Sequence, residues 1–588
     1  MKKILYISIG LSMLASTAAA QVDKRVEVTK DYRPEVSAAV KLPITPDMAD
    51  TVKMRPDIDY TITPLMYSPE LVAAHNFKPA TVTYWDFNRP TNFYLKLGVG
   101  YPVNTVGDFY MSTHNARTGY LMAAANHYGE FGKLANWFGD RRNALKASTR
   151  ARVAGGAYWG NHIFEGELSY GSEVARRSGA PLSVLSTDGS DPSLQAEYED
   201  FAIKLRLGDD FSDLSRTNFN VGLNGSFFNN KSDWRTVDYN LQQFDFGLDA
   251  KVGRRFRRHY IEADAGINGL RGIKDLHSRD NTVTAGLRYG YTSRFVNLLI
   301  GADYAYDWAS ATDGKSYILP MLKLELNVAN NDAVIPFVEV ESTLHNNDYY
   351  RLSRETVYAG FDESMQSLPN TLTYDIRLGL NGKLGRGRFG YRLWAGMSFA
   401  KDELYWYSCD YEWLMARTGA ENTVTLNLEV DYRPIDELLL SAGIHGRFFK
   451  ESAEFDDGTP LHNGKSPVDG YFKIRYKHKK FAVGAYAKVC GAAEWSSVTA
   501  VADTRAGDDD VVGPDPLPEP APEPSPVMNI STFKAPAYVD LGVEFEWRIK
   551  QDWTLFVEGS NLANSKIYNL AYFREQGIRC TAGFKFVF

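Results

Sequence analysis

Apolar and polar residues alternate with a period of two in segments of about ten residues along most of the chain. Between Asn92 and Tyr101, one face carries Phe93, Leu95, Leu97, Val99 and Tyr101, and the other carries Tyr94, Lys96, Gly98 and Gly100. Val283, Ala285, Leu287, Tyr289 and Tyr291 oppose Thr284, Gly286, Arg288 and Gly290. Leu372 to Leu380, Val424 to Tyr432 and Val539 to Trp547 repeat the pattern, with Arg377, Glu429 and Glu544 among the residues on their polar faces. A strand sends successive side chains to opposite faces, so each segment predicts a strand with an apolar side and a charged or glycine-rich side. Strands of that length placed between lipid and water look like this. Soluble β-sandwiches use shorter strands and have linkers between domains, and no such linker is found. The expected fold class is all-β: a single large antiparallel transmembrane β-barrel.

Breaks in the alternation set the connections. Barrels of this kind have short periplasmic turns and long extracellular loops. Counting back from Phe588, tight turns are expected at Lys550 to Asp552, His478 to Lys480, Arg433 to Asp436, Leu384 to Arg388, Asn330 to Asp332, Thr292 to Arg294 and Gly253 to Arg258. Long loops are expected at Asn561 to Gln576, Val498 to Ala535, Glu451 to Val468, Lys401 to Ala420, His345 to Asn370, Ser172 to Gln195 and Tyr128 to Asn143. Within these, Tyr349 to Gly360 and Leu404 to Trp413 fit extra loop hairpins. The count comes to about 22 strands, an even number as bacterial barrels require, and residues 91–588 are assigned to the barrel.

Composition agrees with strands whose two faces meet different solvents. The chain of 588 residues has 35 Tyr, 32 Phe and 11 Trp, while a mean hydropathy of −0.33 is too polar for a helical membrane protein. A net charge of −7 speaks against nucleic acid as a partner, since a binder would show a basic face. Lys2 and Lys3, the apolar run Ile4 to Ala15 and Ala18-Ala19-Ala20 read as a signal peptide over residues 1–20, cut before Gln21. No cysteine follows the cut, and no later apolar run reaches 18 residues. Cys409, Cys490 and Cys580 are an odd, scattered set that predicts neither a disulfide framework nor a metal cluster.

Residues 21–90 form a leader without glycine, punctuated by Pro34, Pro43, Pro46, Pro56, Pro64, Pro69, Pro79 and Pro90. That composition predicts extended chain, which would enter the lumen or meet a periplasmic partner. Val26, Glu27, Val28 and Thr29 are the candidate partner-binding strand, able to add an edge strand to another sheet. At the other end the chain closes on TAGFKFVF, with Phe584, Phe586 and Phe588 expected toward lipid. These three form a candidate insertion signal for the barrel-assembly machinery.

The stretch from Phe556 to Phe588 resembles the end of TonB-dependent receptors. Asn561, Leu562 and Asn564 match the N-L-x-N-x-x-Y loop before the final strand, with Tyr568 one residue beyond the position of the motif's tyrosine. Gly577 stands where the family's Gly-Arg pair begins, although Ile578 displaces the arginine to Arg579. The resemblance implies an outer-membrane barrel involved in solute passage, and 22 strands is the size of plugged outer-membrane transporters. The short proline-punctuated leader resembles a plug-less group from Bacteroidota. It leaves a passive porin-like channel, or a structural barrel anchoring a partner complex, as alternatives.

Other features are weaker. Asp508-Asp509-Asp510 and the stretch Pro514 to Pro526 read as a stiff, acidic loop without EF-hand spacing. Arg254, Arg255, Arg257 and Arg258 gather at one expected periplasmic turn, and Lys477, Lys479 and Lys480 at another. His345 and His445 lack a nucleophile context, so no catalytic, cofactor-binding or metal residue is expected and the protein does not read as an enzyme.

Overall fold

The structure is a computed structural model. It describes residues 92–588 apart from 116–117, 161, 182–193, 210, 212–213, 235–237, 309–313, 329–331, 367, 386, 452 and 502–526. The expected signal peptide, the expected leader with Val26 to Thr29, and Asp508 to Pro526 lie outside the described residues.

Twenty-four strands are linked in one sheet, and two of them form a hairpin that leaves the ring. The other 22 run antiparallel from Phe93–Tyr101 to Arg579–Val587 and close on each other. The closing seam sets Leu97 opposite Phe584 and Gly98 opposite Gly583. Backbone bonds of 3.0 Å run both ways between Phe93 and Phe588. Closure leaves no unpaired edge, which a membrane-spanning sheet cannot tolerate.

The period-two pattern becomes an inside and an outside. Leu287 is 62% exposed on the outer wall, while Arg288 beside it is 14% exposed and faces the lumen. Leu97, Phe164, Leu168, Leu378, Val543 and Leu555 also lie exposed on the outer wall, where hydrocarbon replaces water. Trp159, Phe256, Phe295, Trp547 and Trp553 are exposed near the short-turn end and supply an aromatic girdle. That end is the periplasmic one by the turn-length rule, and Phe588 sits there.

Most expected turns are found where alternation breaks. Thr292 to Arg294, Leu384 to Arg388, His478 to Lys480 and Lys550 to Asp552 match the observed connections within a residue. At Gly253 to Arg258 the strand instead runs on to Phe256, and a two-residue turn follows with Arg257 at φ +57°. Arg433 to Asp436 is likewise strand up to Ile435.

The extracellular side required larger corrections. Lys401 to Ala420 is no open loop: strands Phe389–Cys409 and Trp413–Ile435 rise past the membrane as one long hairpin, with a bulge between Ala400 and Glu403. Tyr128 to Asn143 belongs mostly to two long strands, Gly119–Ala135 and Arg141–Trp159. The loop Val498 to Ala535 carries the hairpin Ala493–Val501 with Val527–Ala535, whose first arm pairs parallel with Ser408 and Cys409. In each case apolar residues on both faces end the simple alternation, because above the membrane both faces can be packed by other loops. Tyr349 to Glu355 is a helix rather than a hairpin arm. Asp348 caps it by accepting from the Arg351 N–H at 3.0 Å, and Tyr349 and Leu352 are buried on one side.

Candidate functional site

The long-loop end of the barrel carries a packed cap. Its first core gathers strand ends and loop residues: Tyr198, Phe228 and Leu241 meet Tyr349 and Leu352 of the helix and Tyr405 and Met415 of the long hairpin. A second core joins Trp495 and Phe533 of the extra hairpin to Tyr568, Tyr572 and Phe573 of the last loop. Tyr358 stacks on Phe573 with centroids 4.0 Å apart, and Trp137 meets Phe533 at 4.8 Å.

Some contacts span the mouth. Arg177, beyond the strand His162–Arg176, lies 3.7 Å over the Trp413 ring and pairs with Glu412 at 3.7 Å. Those partners sit at the tip of the long hairpin, nearly halfway around the ring. Trp413 also stacks on Trp234 at 4.6 Å. Arg177 and Glu412 are both almost fully buried. An arginine stacked on an aromatic face and paired with a carboxylate keeps its charge satisfied away from water.

Beneath the cap the wall is ionic. Lys146 donates to Glu575 at 3.2 Å, and Arg579 donates to Glu130 at 2.5 Å and to Ser560. Glu130, Lys146 and Glu575 border a cavity of about 50 Å³ that Glu173, Tyr358 and Phe573 also line. That is room for a water or two, well below the size of an ordinary ligand pocket. Farther down, Arg288 pairs with Glu262, Asp264 and Asp303, and Arg377 with Glu339, Glu341 and Asp375. Lys96 pairs with Glu558 at 2.8 Å and lies 4.5 Å over the Phe556 ring.

Loop carboxylates and amines feel this setting. Burial pushes Glu355 up, prevailing over Arg351 and the Trp406 N–H. For Glu575 burial also pushes upward, yet Lys146 and Arg579 outweigh it and hold the carboxyl below its usual range. Burial disfavours charge on Lys465, but Glu403 and Glu421 prevail and hold the ammonium above the usual lysine range.

The residues singled out in the sequence have clear places. Phe584 and Phe586 lie on the lipid side, packed on Trp553, and Phe588 is exposed at the rim. Lys96, Arg288, Arg377 and Glu429 line the lumen, and His445 also faces inward, beside Asp469 and Arg447. The family-like loop is a folding device. Asn561, at φ +48°, donates through Nδ2 to the Ser565 and Gln576 carbonyls, and its N–H donates to Asp540. Tyr568 is buried in the second core. Sequence reasoning missed the cap and the Glu130–Arg579 pair. The pair joins positions 449 residues apart, and only their inward phase hinted at it. Cys409, Cys490 and Cys580 form no disulfide, and among the described residues no group of three or more His, Cys, Asp or Glu side chains is placed to hold a metal.

No family model and no curated protein sequence matches the chain. Solved structures do. The FrpB iron transporter from Neisseria meningitidis (F5-1 variant) is similar at TM-score 0.63 and 11% identity, over 85% of this chain and 83% of that one. The siderophore receptor PirA from Acinetobacter baumannii gives 0.60 and 10%, over 84% and 80%. The copper transporter OprC gives 0.58 and 13%, over 84% and 80%. At such identities the likeness speaks for the fold, and it agrees with the closed ring, the lipid-facing belt and the terminal loop. The protein is an outer-membrane β-barrel with the fold of the TonB-dependent receptors.

Proposed function

We propose that this barrel passes a solute across the outer membrane through a mouth that the cap closes at rest. The carrying observation is the bridge of Arg177, Glu412 and Trp413 across the mouth, above a wall of paired charges. A permanently open pore has no use for an apolar core at its entrance, so the passive-channel reading fits less well. Copper, iron and siderophores are the cargoes named for the similar structures, which makes small metal-bearing solutes the first to test. The paired carboxylates and guanidinium groups would offer such a solute exchangeable polar contacts.

The leader belongs to the same reading as the periplasmic handle. Residues 21–90 would partly fill the lumen or meet a periplasmic partner, with Val26, Glu27, Val28 and Thr29 adding a strand to that partner. Planar-bilayer conductance separates these roles. Full-length protein should conduct little. A variant whose Leu404 to Thr418 tip is replaced by a short turn, joining the register partners Glu403 and Gly419, should conduct more. Large steady conductance of the full-length protein would instead establish a passive pore and sink the gated reading. Conductance that rises only on removing residues 22–90 would make the leader the gate. A periplasmic protein whose co-purification is lost on that deletion would favour the anchoring role.

A further inference from the structure

Asp280 is the second residue of the strand Arg279–Thr292, and Asp307 ends the strand Val296–Asp307, both at the long-loop end. Thr282 shares the face of Asp280 and stands opposite Asp307 in register. Exposures of 6%, 1% and 5% put all three out of solvent. The Asn370 Nδ2 donates to Asp280 Oδ2 and to Asp307 Oδ2, at 2.8 Å each, so both carboxyl groups converge on one amide. The other carboxyl oxygen of each, and the Thr282 hydroxyl, have no hydrogen-bond partner among the described residues. Among those residues no basic side chain is paired with either aspartate.

Two buried carboxylates this close cannot both stay ionised without a compensating charge. A proton shared between them would relieve the repulsion, but the threonine oxygen would stay unsatisfied. A cation would employ all three orphaned oxygens. Carboxylate and hydroxyl donors, with no nitrogen or sulfur, suit a hard cation that tolerates irregular coordination. Asn370 is tied to the cap as well: its Oδ1 accepts from the Asn347 N–H at 3.0 Å, and Asp348 next to it caps the helix. Gln366, in the same loop, accepts from the His277 N–H at 2.7 Å. We propose that Asp280, Asp307 and Thr282 bind a divalent cation of the Ca²⁺ type, which fastens loop 346–370, and with it the cap, to the barrel wall.

Full-length protein in detergent, stripped with EGTA and titrated with CaCl₂ in a calorimeter, tests this. One Ca²⁺ should bind per chain, and trypsin cleavage after Arg351 and Arg354 should slow as it binds. Asp280→Asn with Asp307→Asn should abolish both responses. Thr282→Val keeps the charges and should weaken binding roughly tenfold or more, as loss of a supporting oxygen does at other metal sites. No Ca²⁺ binding by the unaltered protein, or binding unchanged in either variant, would overturn the site. Trypsin protection that follows pH and ignores Ca²⁺ would assign a shared proton in its place. Should the double variant fail to assemble, the affinity of Thr282→Val decides alone.

Discussion

Charge in the lumen is useful only when paired, and the cost of breaking a pair depends on burial. Arg579 and Glu130 are 13% and 5% exposed and in direct contact. Arg579→Met leaves a carboxylate buried without its partner and should cost about 3–5 kcal/mol. Adding Glu130→Gln should recover much of that loss. Thermal unfolding in detergent measures both, and a single-variant loss within experimental error would show the pair to be incidental. The pair of Lys146 and Glu575 gives a pH test. The folded Glu575 carboxyl lies below its unfolded value, so its contribution is fully present above about pH 4.3. It is lost as pH falls through the lower, folded value. Protection of amides in residues 561–578, taken relative to their intrinsic exchange rates at each pH, should therefore fall only in acid, and Lys146→Met should weaken that dependence. Protection that is lost instead on going alkaline would contradict the assignment.

Among the strands, the closing seam is the most demanding element. Gly583 faces Gly98, and a Cβ at 583 would lie 1.9 Å from the Leu97 carbonyl oxygen. Gly583→Val should therefore force the first and last strands apart and cost about 1–3 kcal/mol, the usual penalty of overpacking. Reduced heat-resistant mobility of the folded barrel on a gel would report it. Unchanged mobility and melting would mean that the seam flexes enough to admit a side chain. Phe588 serves the same seam through two backbone bonds to Phe93. Deleting Phe588 should lower the fraction of chains inserted in the membrane, read by fractionation of cells, and equal insertion would remove it from the insertion signal.

At the scale of the molecule, two cores of different origin share one chain. The barrel is held by a closed ring of strands joined by backbone bonds in lipid, whereas the cap is held by apolar burial in water. The two should melt separately. Trp413→Ala removes a large ring stacked on Trp234 and Arg177, and should cost about 3–5 kcal/mol of cap stability. Calorimetry should show the first transition shifted and the second, barrel transition unmoved. A single transition that shifts as a whole would mean that cap and barrel form one cooperative unit.

The sequence by itself determined the ring: its class, its strand number, its lipid and lumen faces and most of its periplasmic turns. The reason is that lipid and water impose opposite demands on alternate residues, so each strand states its own orientation locally, as Leu287 and Arg288 do. Asn561 was legible through its spacing from Leu562 and Asn564, although not the hydrogen bonds that explain it. Only the tertiary structure decided the cap. Above the membrane no period is imposed, and Leu404 to Trp413 reads alike as loop, hairpin or strand until its neighbours are known. Which charges pair, Arg579 with Glu130 or Asp280 beside Asp307, also depends on strand neighbours and loop folds that no local pattern encodes.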